Sequence, residues 1–596
     1  MRFPSLQTLA TRARQVLVRF PITLAVGVAA AVFAIIASTK GADDAWVRLA
    51  FVAALGLPLS FALTLLVELR GWSHPRMLLA MLGGALVLVG FFFVWPGLDE
   101  KHNAIRYFQF SAALHLAVAF LPFVGTEENA AFWQYNRRLF LSFLRAVVFS
   151  GVLFVGLVIA LAALDKLFGL DVPNDTYLRL WFVIAFVANT WIFLAGVPDD
   201  ISALVADREY PKALKIFTQY ILTPLVAVYL LILLAYLVKI LITSEWPSGW
   251  IGYLVTSVSV AGILGFLLVH PLRDEAEEGW IRTYRRWLFI ALIPAAIMLL
   301  VAFVKRIAPY GLTELRYLGG LLGVWLLAIS LLFTLRREQG IRIIPLSLSI
   351  LLLVTLFGPL GASHRSVASQ ASRLQREVAA ARAVPSPGVV TPAESEASGA
   401  LFFLVEHEAE PEIARAFGGA IPGGVVLPDT LRYQADSLSG AIMAAASLDY
   451  SRWGTTGSPR PGYFSYHAME SEAVAVAGFD WIVPVEMRDS LLTVGSDTFL
   501  IAFDSTQRRF SVAERGGQTM TFDLGRLVDS LDAHPSANAY RQGIPSSRMQ
   551  ILPSGGDRAG ALRLSWINGR RGKGGRHLES WKGQLLIGPA RGEESR

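Results

Sequence analysis

The sequence predicts an α-helical polytopic membrane bundle of about eleven transmembrane helices, followed by a C-terminal α+β soluble region with a small antiparallel β-sheet or sandwich. Three observations carry this reading. The 596-residue chain is 54% hydrophobic and only 17% charged, a balance that soluble domains do not keep. Apolar runs of 17 to 26 residues recur as far as Leu360 and not afterwards, and such runs are long enough to cross most or all of a hydrocarbon core about 30 Å thick. From about Tyr463 the hydrophobic period becomes two, the period of a strand.

In order, the apolar runs are Pro21 to Ala37, Leu49 to Val67, Met77 to Trp95, Tyr107 to Val124, Leu139 to Leu164 and Tyr177 to Val197, then Phe217 to Val238, Trp250 to Val269, Trp287 to Val304, Tyr317 to Leu335 and Ile343 to Leu360. Alternating the loops from a cytoplasmic N-terminus puts eighteen Lys and Arg on one side and nine on the other, so the richer side is assigned to the cytoplasm. Arg2, Arg12, Arg14 and Arg19 agree with that assignment. An odd number of spans then carries the C-terminal region out of the cytoplasm. The first run, with its basic flank, also fits a signal peptide, whose removal would leave every later orientation unchanged. Trp95, Trp246, Trp250 and Trp287 stand at span ends, where ring bodies sit in lipid and polar edges meet water.

The pI near 9.5 does not signal nucleic acid. Before Gly361 there are 29 Lys and Arg against 21 Asp and Glu, and from it onward 24 against 25, so the basic excess belongs to the membrane half and leaves no phosphate-binding footprint. The chain has no cysteine, which excludes disulfides, thiolate catalysis and Cys-ligated metals.

Beyond the last span, Val367, Ala371, Leu374 and Val378 recur at helical spacing as an amphipathic stalk. Ala383 to Gly399 reads by composition as a linker, with short helices over Ala400 to Glu408, Glu410 to Phe417 and Ala435 to Leu448. Thr498 to Phe503 and Arg509 to Ala513 form a hairpin about Asp504 to Arg508, Thr519 to Phe522 pairs nearby, and Leu524 to Leu531 is a short helix. Gln550 to Leu552, Ala561 to Trp566 and Gln584 to Ile587 bring the set to roughly seven strands. The expected division is residues 1–362 as the bundle, 363–460 as stalk, linker and short helices, and 461–596 as the β-rich domain.

Several segments carry a resemblance. They are Trp246 to Tyr253 (WPSGWIGY), Tyr310 to Tyr317 (YGLTELRY), Ser369 to Leu374 (SQASRL), Gln219 to Pro224 (QYILTP) and Ala195 to Pro198 (AGVP). In these the chain resembles a bacterial family of multi-pass membrane proteins catalogued as domain of unknown function 4153, which implies an inner-membrane protein of unassigned activity.

Polar groups in hydrocarbon cost up to about 3 kcal/mol, so they are read first as functional candidates. His115 and Asn189 lie mid-span, although interhelical bonding is the commoner role of a lone polar residue there. Arg145 sits near a span end, from which its side chain reaches headgroups. Glu314 and Arg316 bracket an outer turn where Thr313 is placed to cap the tenth span; the alternative to capping plus a surface ion pair is a polar rim over a cavity. Arg570, Arg571, Lys573 and Arg576 cluster in a Gly-rich turn suited to anions, or to water as an ordinary hairpin tip. The run Glu406-His407-Glu408 lacks the second His of a zincin, and Asp436, Asp449, Asp480 and Asp504 are spaced unlike a calcium loop.

No catalytic, cofactor-binding or metal-binding residues can therefore be named. The expected partners are the lipid bilayer with envelope proteins or anionic lipids, and the expected cofactor set is none. The leading functional expectation is a non-enzymatic envelope sensor, scaffold or binding protein with an extracytoplasmic C-terminal domain. The alternatives are a transporter or lipid-handling protein, supported by kink-forming Pro58, Pro122, Pro224, Pro294, Pro345 and Pro359, and a membrane-embedded enzyme acting on an envelope precursor.

Overall fold

The structure is a computed structural model that describes residues 6–98, 101–125, 129–201, 210, 212–244, 250–270, 279–336, 340–383, 390–427, 435–451, 463–468, 476, 478–487, 490–494, 497–504, 507–514, 518–533, 544–556, 558–572 and 575–590. It divides into two units, 1–370 and 371–596, with the boundary inside one helix.

The first unit opens with α1 (Leu6–Arg19), α2 (Pro21–Ala37), α3 (Asp44–Arg70), α4 (His74–Val94), α5 (Lys101–Phe120) and α6 (Asn129–Phe168). α7 (Asn174–Val183) and α8 (Asn189–Leu194) are joined by a π-helical turn, Ile184–Ala188, and α9 (Lys212–Ile216) runs through a second, Phe217–Leu222, into α10 (Thr223–Thr243). α11 (Trp250–Val269), α12 (Gly279–Tyr310), α13 (Glu314–Leu335), α14 (Ile343–Val354) and α15 (Ala362–Ala383) follow. Among the described residues nine helices, counting each π-interrupted pair as one, are long and apolar enough to span a bilayer, or ten if the bent pair α1–α2 counts as one. The chain is a multi-pass membrane protein.

The expected runs missing from the nine are the first and the last, realised as the 17-residue α2 and the 12-residue α14. Side-chain bonds show both lying along full-length neighbours. α2 is antiparallel to α3: Arg19 just before it forks onto Glu68 at 2.9 and 3.1 Å, Thr23 accepts from Ser60, and the Phe33 and Trp46 rings lie 5.8 Å apart. α14 is antiparallel to α5: Arg342 donates to the Phe123 carbonyl, Ser349 Oγ to that of Ala113, and Gln109 Nε2 to that of Leu352.

Such bonds sort the turns onto two ends. At the first, Arg19 and Glu68, Arg342 and Phe123, Arg285 with the Phe333 and Arg336 carbonyls, and Trp133 with the Leu267 carbonyl join neighbouring termini. At the other, Arg48 bonds the Phe92 carbonyl, Trp95 that of Asn103, and Tyr317 that of Leu360. α4 and α6 turn most of their side chains outward, Leu79, Leu86 and Phe93 being 69–75% exposed. Patches of that size are unfavourable in water and at home in lipid.

Trp95 corrects an expectation. It is fully buried, stacked on Phe91 at 5.6 Å, with its indole N–H spent on the Asn103 carbonyl at 2.9 Å, so it anchors the fold and not the interface. Trp287 is 64% exposed as an interfacial ring should be; Trp246 and the Trp250 side chain lie outside the described residues.

In the second unit α15 is followed by α16 (Pro392–Glu406), α17 (Glu410–Ala416) and α18 (Ala435–Ala445). The expected linker is therefore shorter than its composition suggests. Thr391 accepts from the Glu394 N–H while the Glu394 carboxylate accepts from the Thr391 N–H, a reciprocal cap that starts α16 at Pro392. Two antiparallel sheets complete the unit. β1 (Tyr463–His467), β8 (Arg558–Gly572), β9 (Gly575–Ala590) and β2 (Trp481–Glu486) adjoin in that order, with β7 (Gln550–Ile551) also on β8. β3 (Ser490–Val494), β4 (Asp497–Asp504), β5 (Arg509–Glu514) and β6 (Thr519–Asp523) form a meander followed by α19 (Leu524–Ala533). The expected hairpin is present, with Asp504, expected in the turn, instead ending β4 opposite Arg509. Both sheets contribute to one apolar core, where the Phe510 and Trp581 rings meet edge to face at 4.9 Å. Arg558 of the first sheet bonds Asp497 and Glu514 of the second, and the Glu514 hydrogen bond leads the causes that raise its pKa above the ordinary arginine value.

Candidate functional site

Among the described residues, a polar cluster sits at the end of the bundle where α5 and α13 begin and α14 finishes. Because α5 begins at Lys101 and not at Tyr107, Asn103, Arg106 and Gln109 fall at three-residue spacing on one helical face. Asn103 and Gln109 are buried. Gln109 donates to the Leu352 carbonyl at 2.7 Å and to Thr355 Oγ1 at 2.9 Å, satisfying the unwound end of α14. Arg106 has its Nε buried without a hydrogen-bond partner, and its guanidinium lies 5.8 Å from the centre of the Phe357 ring. It is within electrostatic reach of Glu314, the first residue of α13, which is only 5% exposed. A buried carboxylate at a helix N-terminus faces both the positive end of the backbone dipole and a guanidinium, two fields of the same sign.

Thr313 stands at the cap position but makes no side-chain cap bond, contrary to expectation. Glu314 is the acidic residue of the first turn, where a negative charge suits the positive end of the helix. Arg316 turns the other way, donating to the Tyr310 and Gly311 carbonyls at 3.1 and 2.8 Å and so closing the C-terminus of α12. The same turn is tied to α15: Gln370 Nε2 donates to the Tyr310 and Leu312 carbonyls, and Ser369 Oγ accepts from the Leu312 N–H. Two of the segments that carry the resemblance, Tyr310 to Tyr317 and Ser369 to Leu374, are thus bonded to each other.

The other sequence candidates have separate partners. His115 is exposed and bonds within its own helix, its Nδ1 2.8 Å from the Ser111 carbonyl. Asn189 donates to Ser150 Oγ at 2.9 Å, linking α8 to α6 directly after the first π turn. Arg145 back-bonds to the Leu141 carbonyl and reaches Gly196, where a Cβ would fall 2.0 Å from Ser142 Oγ. In the β unit the strands run to the expected turn, with Arg570 opposite His577 and Arg571 opposite Arg576; Lys573 lies outside the described residues. Among the described residues no group of His, Asp or Glu is arranged to hold a metal ion.

Asn103 and Arg106 escaped the sequence reading because hydropathy starts the fourth span at Tyr107 and consigns them to a loop; Gln109, inside that span, is passed over in favour of His115. The recoverable signal was the three-residue spacing itself.

The family model described as Domain of unknown function (DUF4153) matches residues 23–381, which take in α3 to α14, the cluster and nearly all of α2 and α15. The chain belongs to this family. A protein of Pasteurella multocida (strain Pm70) described as uncharacterised is 23% identical over 310 residues, 51% of this chain and 50% of that protein. The chain thus spans about half the length of the curated relative it matches. No solved structure matches it at a significant level. Every residue of the DUF4153 polar cluster, from Asn103 to Gln370, lies inside the matched region, whereas both β-sheets lie outside it.

Proposed function

We propose that this protein is a non-enzymatic component of the bacterial cytoplasmic membrane, with its N-terminus in the cytoplasm and a C-terminal β unit outside it that binds a partner of the envelope. The observation that carries the reading is an apolar surface on the meander. Leu491 of the edge strand β3 and Leu500 of β4 are cross-strand neighbours, 75% and 52% exposed, on a sheet whose opposite face is core. Paired exposed leucines at a sheet edge are a liability unless something covers them.

Orientation is supported by the twofold excess of loop Lys and Arg on the N-terminal side. The side of the C-terminal unit follows from an odd number of crossings, which the nine spans among the described residues give and which eleven also give when α2 and α14, each lying along a spanning neighbour, are counted together. The test is a photo-crosslinking residue at Leu491 or Leu500 in living cells. A discrete protein adduct, missing when the probe is at exposed Leu552, is the expected result; no adduct at either leucine would overturn the reading.

A second reading, transport or lipid handling, is favoured by the two π turns. Pro224 has no N–H to give residue 220, and the Thr223 N–H instead reaches back five residues to Thr218. Such turns recur at functional sites and widen a helix locally. Its test is flux in vesicles holding protein with His115→Leu and Asn189→Leu, where unchanged movement of every solute tried would remove it.

A further inference from the structure

We infer that α1 is an interfacial helix that lies in the plane of the membrane and binds anionic phospholipid headgroups. The helical axis turns by 92° between Thr11–Arg19 and Pro21–Ala37. α2 runs antiparallel along α3 from Thr23 at Ser60 to Phe33 at Trp46, so its 17 residues, about 25 Å of helix, traverse the bundle unaided. A helix at right angles to one that crosses the bilayer lies along its surface.

The sequence of α1 suits that position. Leu9, Ala13 and Val16, with Leu6, Ala10 and Leu17 beside them, occupy one arc by helical spacing, and Arg12 and Arg14 flank the arc on its two sides. One edge of the arc is committed to protein: Val16 and Phe20 are 7% and 1% exposed, the Phe20 ring lies 5.7 Å from that of Phe61, and Arg19 forks onto Glu68. The other edge is not, since Leu17 is 49% exposed and Arg14 beside it is open; Arg12, on the Val16 side, is exposed as well. Leucine with arginines on either side matches the boundary between acyl chains and phosphates, where each cation adds attraction to an anionic surface. Naming the leaflet as cytoplasmic rests on the proposed orientation; the lipid contact does not.

The absence of cysteine makes the test clean. Full-length protein carrying Leu17→Cys or Gln15→Cys is labelled with a fluorophore and placed in nanodiscs of phosphatidylcholine with phosphatidylglycerol, one of the two lipids brominated near the headgroup. The label at 17 should be quenched by bromolipid and shielded from aqueous iodide, and the label at 15 the reverse. Brominated phosphatidylglycerol should quench at 17 roughly threefold more than brominated phosphatidylcholine. Arg12→Gln with Arg14→Gln should erase that preference while retaining quenching by phosphatidylcholine, which shows the helix still seated. Equal iodide access at 15 and 17, or equal quenching by the two lipids with both arginines present, would overturn the inference. Nanodiscs expose both leaflets, so neither result depends on orientation.

Discussion

At the scale of single residues, Arg106 and Glu314 are opposite charges within electrostatic reach at the polar end of the bundle. Two charges in a largely buried site repay their desolvation only while both are present, and removing one strands the other. Glu314→Ala is expected to cost about 3 kcal/mol, read as a lower melting temperature of the detergent-solubilised protein. Arg106→Met together with Glu314→Leu should recover most of the loss; additive losses would show that the two do not interact. Arg558 behaves differently because it is partly open to water. Its pKa is raised above an already high ordinary value, so its contribution is complete below the unfolded pKa and disappears only as pH climbs past the folded one. Arg558→Met should therefore weaken hydrogen-exchange protection of β4 and β5 by about 2 kcal/mol, and by the same amount at pH 6 as at pH 8.

At the scale of elements, contacts between backbones decide more than propensity. A Cβ on Gly27 of α2 would meet the Phe186 carbonyl in the first π turn at 2.6 Å, and backbone cannot swing aside. Gly27→Ala should push α2 off that turn at a cost of about 2 kcal/mol, seen as early unfolding in a thermal scan, whereas Gly83→Ala on α4, which meets nothing within 4 Å, should be neutral. The stalk illustrates why pattern alone misplaces a face. Hydrophobic spacing runs the buried stripe of α15 through Val367 and Ala371, but its early turns bury Ser366 and Gln370 instead, and the stripe becomes apolar only at Leu374 and Val378. Gln370 goes inward because the Tyr310 and Leu312 carbonyls are there to accept from it.

At the scale of the whole molecule, topology follows from the parity of crossings. On the proposed orientation, a protease added outside intact spheroplasts should cut the 371–596 unit and spare it in inverted vesicles; the opposite pattern would reverse the orientation and leave the fold intact. The two β-sheets lie outside the residues matched by the DUF4153 model, whereas the helices that carry the polar cluster lie within them.

The sequence by itself determined that the first 360 residues enter lipid, where most spans lie, and that β4 and β5 form a hairpin, because hydropathy and strand alternation are sums over neighbours in the chain. Only the tertiary structure decided that Arg106 of α5 comes within electrostatic reach of Glu314 of α13, that Gln109 closes α14, and that Trp95 is buried and not interfacial. The reason is physical: in hydrocarbon a leucine gains little by facing another helix instead of lipid, so hydropathy cannot choose partners, and the choice falls to small residues and polar groups whose mates lie hundreds of positions away.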